Sequence, residues 1–406
     1  MNVSAARIID YWVGVPACFF LTLLRKAKKL LFFNGREQAG VSKKFLFIEL
    51  SEMGSAILAY PAMKYIKDSY PEAELFFMIF EKNRASVDIL KTIPKENVLT
   101  VNIDSVFNFF RDSLKNIIRM RRERFDAVFD LELFARSTAI LTYLSGAPKR
   151  VGFYKYKMEG LYRGNLLTHK IQYNFQQHIS KTFFSFVKSA ENAFQNKPTM
   201  DNGIFPDNLT PAVYEPGPDN IKLIWEKLKK INPAISERSN IVILNPSGGD
   251  LPIRSWPVEN FTALAGKILE DKNNFVVLTG AKSDIPVVEK INSAFNSEKV
   301  IDLSGKTEFG ELLDLYCVSD VLVTSDSGPG HFASLTPIKN FVFFGPESPN
   351  LYSPLGENTK IFFENFPCSP CLSAFNHRST VCEENKCVKA ISVDKVYELI
   401  EKELKK

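Results

Sequence analysis

Short apolar runs recur along this chain, separated by stretches long enough for amphipathic helices. Residues 45–50, 75–80, 98–101 and 127–131 are rich in Phe, Leu, Val and Ile and predict strands. After a gap the alternation resumes at 241–245, 275–279, 300–303, 321–324 and 341–344. Strands spaced by helices imply parallel sheets with helices on both faces. Between the two sets, residues 196–219 carry Pro198, Pro206, Pro211, Pro216 and Pro218 and little apolar periodicity, which predicts a linker. The expected architecture is α/β, with two doubly wound domains at 43–217 and 218–360. A tail over 361–406 follows, and its stripe of Val396, Leu399, Ile400 and Leu404 predicts a closing amphipathic helix over 393–404.

The pattern differs at the N-terminus. Residues 8–24 read IIDYWVGVPACFFLTLL and lead directly into Arg25-Lys26-Ala27-Lys28-Lys29 and Leu30-Leu31-Phe32-Phe33. This run, with Asp10 and Pro16 inside it, falls short of the about 20 apolar residues that span a bilayer. No small-residue cleavage site follows, which argues against a secretory signal peptide. Tyr11, Trp12 and the phenylalanines beside clustered cations fit a helix lying in the interface of an anionic leaflet. Packing on the protein's own core is the alternative, and a single-pass anchor is a further one. Either membrane reading keeps the main body on the cytoplasmic face of the inner membrane. Residues 1–42 are therefore read as a membrane-associating segment.

Composition changes the picture in one respect. A chain of 406 residues exceeds one core, and 45% hydrophobic with 24% charged residues is ordinary for a globular protein. The net charge of +5 is local: residues 1–44 hold eight Lys/Arg against two acids, leaving 45–406 at −1. A nucleic-acid partner would demand a basic face on the folded body, so none is expected.

The chemistry concentrates at 320–346, DVLVTSDSGPGHFASLTPIKNFVFFGP. Strand, Gly-rich turn, short helix and strand place a helix N-terminus at the carboxyl edge of a parallel sheet. Backbone N–H groups there suit a diphosphate. No G-x-G-x-x-G follows the first predicted strand, which disfavours a dinucleotide-binding dehydrogenase.

Asp326-Ser327-Gly328-x-Gly330-His331 with Phe344-Gly345-Pro346 resembles the D-[ST]-G-x-x-H…F-G-P signature of glycosyltransferase family 9, the bacterial heptosyltransferases. Leu46 to Ala62 resembles the family's first strand and loop. Asn245-Pro246-Ser247, followed by Arg254-Ser255-Trp256-Pro257, resembles its mid-chain element, and Leu278-Thr279-Gly280 lies between that element and the signature. The resemblance covers residues 45 to about 360. It implies a GT-B fold with the active site in a cleft between the two domains. It also implies inverting, metal-independent transfer of a sugar, with heptose from ADP-heptose the foremost candidate, onto a cell-envelope glycolipid such as lipopolysaccharide core. A catalytically silent nucleotide-sugar-binding or scaffold protein at the membrane and a nucleotide-sugar epimerase are the alternatives.

The resemblance assigns the donor to Ser247, Arg254, Asp326, Ser327, Gly328, Gly330 and His331. Arg254 can replace a divalent cation, because its fork pairs with phosphate oxygens. Asp326 has capping of the following helix as its structural alternative. One position departs from the family. Its S-x-x-G-D loop carries an aspartate proposed as general base, and Ser55 stands there instead. A serine hydroxyl accepts no proton near neutral pH, so Glu52, three residues earlier, is the candidate base, with Glu49 a weaker one. Ser55 and Arg136, near the end of a predicted strand, are candidate acceptor contacts. The Arg119–Arg124 run is expected to be a solvated helix face.

Cys368, Cys371, Cys382 and Cys387 form C-x2-C-x10-C-x4-C, a spacing close to that of structural zinc sites. Reduced, packed thiols are the alternative, since a cytoplasmic location opposes disulfides.

Overall fold

The structure, a computed structural model, describes residues 3–31, 44–133, 135–154, 162–191, 209–249, 251–374, 376 and 378–405. Most of the expected linker, 196–208, and Phe32 and Phe33 lie outside these residues. The chain divides into two compact units, Met1–Leu209 and Thr210–Lys406.

The first unit is a six-stranded sheet of β1 (Lys44–Ile48), β2 (Glu74–Phe80), β3 (Val98–Val101), β4 (Ala127–Asp130), β5 (Lys149–Phe153) and β6 (His169–Ile171). All pairs are parallel, in the order β3-β2-β1-β4-β5-β6. Alternation of side chains across the pleat sends Phe45, Phe47 and Phe129 to one face, where their rings cluster. Leu46, Ile48 and Val128 go to the other, onto Met120 and Leu141 of helices Val106–Glu123 and Arg136–Leu144.

The second unit repeats the plan with β7 (Asn240–Asn245), β8 (Asn274–Leu278), β9 (Val300–Asp302), β10 (Val321–Ser325), β11 (Lys339–Phe344) and β12 (Thr359–Phe363). These strands are parallel in the order β12-β11-β10-β7-β8-β9. In each sheet the order of strand addition reverses once, between β1 and β4 in the first and between β7 and β10 in the second. These are the switch points at which open α/β sheets bind ligands. The closing helix forms at Val393–Leu404, and its Val396 and Ile400 join one core cluster with Val242 and Trp256.

All nine expected strands form. The three not expected, β5, β6 and β12, sit at or next to a sheet edge and read KRVGF, HKI and TKIFF. Such short, charged runs lack the apolar signature of a central strand.

The N-terminal helix runs unbroken from Val3 to Leu31 through Pro16. Its stretch Ile8–Lys28 is 21 residues, long and apolar enough to cross a membrane by length and composition. Its polar stripe, Asp10, Gly14, Cys18, Thr22 and Arg25, nevertheless faces the protein. Asp10 accepts from the backbone N–H groups of Arg136 and Ser137 at 2.9 and 3.0 Å, capping the 136–144 helix. It also pairs with the Arg136 guanidinium at 3.0 Å. A side chain at Gly14 would stand 2.8 Å from Arg136 Cβ, so only glycine lets the two helices close. Further along, Thr22 Oγ1 accepts from Asn165 N, and Arg25 donates to the carbonyls of Asn165 and Leu167.

This arrangement corrects one expectation. Arg136 is buried, held by Asp10 and the Tyr162 carbonyl, with its guanidinium over the Tyr11 ring. Its cation fixes the N-terminal helix and is not presented to an acceptor.

Candidate functional site

In the second unit, Trp256 organises the switch point. Its ring is buried against Phe261 and Phe343, its indole N–H donates to Ile391 O, and its backbone N–H donates to Ser325 Oγ at 3.0 Å. Pinning residue 256 to the end of β10 sets Arg254, two residues earlier, against the turn that follows that strand. Arg254 Nη1 lies 3.3 Å from Asp326 Oδ2. The pair is largely shielded from water, and Arg254 Nε is buried with no hydrogen-bond partner among the described residues. A guanidinium held on one side by a carboxylate keeps donors for a second anion.

The surrounding loop belongs to the same cluster. Ser247 Oγ accepts from Gly249 N at 3.1 Å, and a side chain at Gly249 would come within 3.8 Å of Arg254 Nη2. Ser247 and Arg254 therefore lie at one loop. Ser327, Gly330 and His331 are buried in and before the helix Gly328–Ala333, whose N-cap is Ser327. Ser327 occupies the N-cap position, and the Asp326 carboxylate pairs with Arg254. Trp256-Pro257 leads into helix Val258–Ile268, so that motif also starts a helix.

Sequence reasoning missed the brace behind this loop. Asn385, in the cysteine-rich tail, donates from Nδ2 to the carbonyls of Ile253 and Ser255 at 3.1 and 2.9 Å. Its left-handed backbone, φ 40°, suits asparagine. The next turn packs on the F-G-P signature: a side chain at Gly345 would lie 2.5 Å from Val388 and 2.8 Å from Cys387 Sγ. The glycine of that signature is thus required by the tail. All six cysteines are free. Among the described residues, no group of three or more His, Cys, Asp or Glu is placed to hold a metal ion, so the zinc tetrahedron weighed for the four tail cysteines is not formed here.

In the first unit the switch point carries acids. Glu49, Leu50, Ser51 and Glu52 follow β1, and Glu132 follows β4. Glu132 Oε1 accepts from Leu50 N, Ser51 N and Ser51 Oγ at 3.1, 3.0 and 2.8 Å. Asn83 Nδ2 holds the Leu50 and Ser51 carbonyls from the other side. Glu49 is buried; desolvation, then the charges of Glu132 and Glu52, push its carboxyl well above the ordinary range. A buried acid in that state keeps its proton and hydrogen-bonds Glu132. Glu49 is therefore poorly suited to act as a base.

Glu52 differs. It is half-buried at the start of helix Met53–Leu58, and its carboxylate accepts from Ser55 Oγ at 2.9 Å. Its backbone N–H donates to Glu49 Oε1 at 3.3 Å. Glu132, the residue that shapes this loop, was not singled out from the sequence. It lies 82 positions from Leu50, and its only local signal is an acid one step beyond a strand.

The sequence profile of glycosyltransferase family 9 (heptosyltransferase) matches residues 114–381. Lipooligosaccharide heptosyltransferase 2 of Campylobacter jejuni is 23% identical over 88% of this chain and 98% of its own length. Lipopolysaccharide core heptosyltransferase OpsX of Haemophilus influenzae is 21% identical over 80% and 86%. Among solved structures, the ADP-heptose LPS heptosyltransferase II of E. coli superposes with a TM-score of 0.68 at 19% identity, covering 89% of this chain and 98% of that one. The E. coli heptosyltransferase WaaC with ADP gives 0.62 at 15% identity, covering 89% and 99%. At such identities the structural likeness speaks for the fold, two doubly wound units of the GT-B class.

Proposed function

Because this chain belongs to glycosyltransferase family 9, and is a glycosyltransferase, we propose that it transfers heptose from ADP-heptose to a glycolipid of the lipopolysaccharide-core type. The observation that carries the donor half is the Arg254–Asp326 pair at the β7/β10 switch point, with an unused guanidinium donor beside the Ser247 loop. Departure of the nucleotide diphosphate needs its developing charge stabilised. Arg254 supplies that charge, and the backbone of residues 328–331, Ser327 and His331 supply the remaining polar lining. This assignment makes the reaction independent of a divalent cation. The similar proteins named for ADP-heptose and for ADP support the choice of nucleotide.

For the acceptor half, Glu52 takes the proton of the acceptor hydroxyl. The freed oxygen forms a bond to the anomeric carbon as the carbon–phosphate-oxygen bond breaks. That electron pair leaves with ADP, and the anomeric configuration inverts. Ser55 holds the Glu52 carboxylate in place. The N-terminal helix lies in the interface of the cytoplasmic leaflet, where a lipid-linked acceptor is found. Its contact stripe from Asp10 to Arg25 supports an in-plane position, because a helix packed along the protein over this length would have to detach in order to cross a bilayer.

The test is a panel of nucleotide sugars scored by hydrogen exchange and by transfer to envelope glycolipid. ADP-heptose should protect the 325–333 turn and the 247–256 loop and be turned over equally well with a chelator present. Protection confined to residues 45–150 would reverse the roles of the units. Turnover of another donor at higher kcat/KM would replace heptose.

A further inference from the structure

Helix Val106–Glu123 is apolar on two sides. Its inward side sets Met120, Phe109 and Ile117 on the core beside Ser113 and Asn116, whose Nδ2 donates to Thr100 O at 2.9 Å. Its outward row is Phe107, Phe110, Leu114 and Ile118, spaced three, four and four residues apart, with Phe107 73% and Leu114 60% exposed. At 100° per residue these four fall within one narrow stripe, and Arg111, Lys115 and Arg122 fall together along one edge of it. A second apolar stripe, facing water and edged by cations, is not what the outer side of a helix on a soluble core presents.

The N-terminal helix also turns an apolar face outward. Its polar stripe packs inward, and Tyr11, Trp12, Phe19, Phe20 and Leu24 face outward, Trp12 at 72% exposure. Both helices pack on the Arg136–Leu144 helix. One approaches from the β3 side; the other approaches from the β6 side, where it bonds residues 165–167. The three helices form one layer, and its two flanking members turn apolar, cation-edged faces outward.

We propose that the outward face of Val106–Glu123 is a second membrane-docking surface, which seats the first unit on an anionic bilayer together with the N-terminal helix. The inference rests on the interfacial reading of the N-terminal helix and extends it to a part of the fold with no transmembrane character. The occupant is a bilayer rather than a second copy of the chain, because paired copies would bring the flanking cations of two like faces together. Anionic headgroups neutralise those cations while the aromatic stripe enters the acyl boundary. Two contact lines fix the tilt of the unit, which one helix cannot do.

The experiment is vesicle flotation of the full chain with phosphatidylcholine–phosphatidylglycerol vesicles. One variant carries Phe107→Ser, Phe110→Ser and Leu114→Ser; another carries Trp12→Ser and Phe20→Ser. Unchanged melting and ADP binding serve as folding controls. The 107/110/114 variant should partition about tenfold or more weakly than the natural chain, as expected when three buried apolar side chains are lost. Undiminished partitioning of this variant, with loss in the Trp12/Phe20 variant, would overturn the second surface and leave the first. A natural chain that does not float at all would overturn both. A vesicle-free dimer that the 107/110/114 changes dissolve would assign the face to a second copy instead.

Discussion

Ser55 Oγ donates a 2.9 Å hydrogen bond to Glu52 Oε2, three residues back across the first turn of helix Met53–Leu58. A carboxylate at position 55, as the family's loop pattern has it, would oppose Glu52 rather than donate to it. Two carboxylates at that distance cannot both ionise freely, and one is raised. Ser55→Asp should therefore move the acid limb of the kcat–pH profile upward by about one unit or more. An unshifted limb would mean that the two side chains do not meet in the working enzyme.

Removing the proton acceptor is a sharper test. Glu52→Gln keeps size and the bond from Ser55 while losing basicity. It should retain ADP affinity and lower turnover by about two to four orders of magnitude, the usual worth of a general base. Near-normal transfer would move the role to another carboxylate.

Glu49 predicts a stability effect. In the folded protein it holds its proton where a free glutamate, of pKa about 4.3, has lost it. Folding thus takes up a proton, and stability falls as pH rises from about 4.3 toward the raised folded value. Glu49→Gln keeps a donor for Glu132 and an acceptor for Glu52 N. It should match the natural chain near pH 4 and melt higher at neutral and alkaline pH. Asp130, pushed up to about 6 by burial, adds its own slope below that pH. The difference between the two melting curves isolates Glu49, and parallel curves would show that it does not titrate in this way.

Arg254→Lys preserves charge but removes the fork and the second set of donors. Calorimetry should show ADP binding weakened about tenfold or more, equivalent to roughly 1.4 kcal/mol. Unaltered affinity would reduce Arg254 to a structural partner of Asp326.

Asn385→Asp tests the brace. Aspartate tolerates the left-handed backbone but cannot donate to the Ile253 and Ser255 carbonyls. Each lost bond is worth about 0.5–1.5 kcal/mol, so ADP affinity should fall by roughly tenfold with no change in the pH dependence of turnover. Equal affinity would show that the Arg254 loop holds its shape unaided.

What the sequence revealed and what it hid divide along a physical line. Central strands such as 241–245 and 321–324 announce themselves because both their faces are buried, and the helix over 393–404 because its stripe repeats at 3.6 residues. Arg254, Trp256 and Asp326 were legible as a group because each stands in a local motif. Glu132 and Asn385 were not, since each acts on backbone groups 82 or about 130 positions away and belongs to no local pattern. Arg136 sat near a strand end, as a ligand-binding cation would, yet its partner Asp10 lies 126 residues earlier. The stripe Phe107–Ile118 was not singled out, and periodicity alone says only that one side of a helix differs from the other. Which side meets the protein is set by Asn116 reaching the Thr100 carbonyl and by Met120, Phe109 and Ile117 packing on the sheet.

The closing helix bears on the order in which the protein matures during synthesis. The core of the second unit joins Val242 to Ile400, and the Trp256 indole is capped by Ile391 O, so that core stays open until Ile400 has left the ribosome. The first unit contains all its strands, together with its N-terminal helix, before residue 210. It can fold and seat itself while the rest is still being made. Nascent chains arrested after residue 360 should therefore show a protease-resistant first unit and an unprotected second one. Resistance of both at that length would show that the tail is dispensable for closing the core.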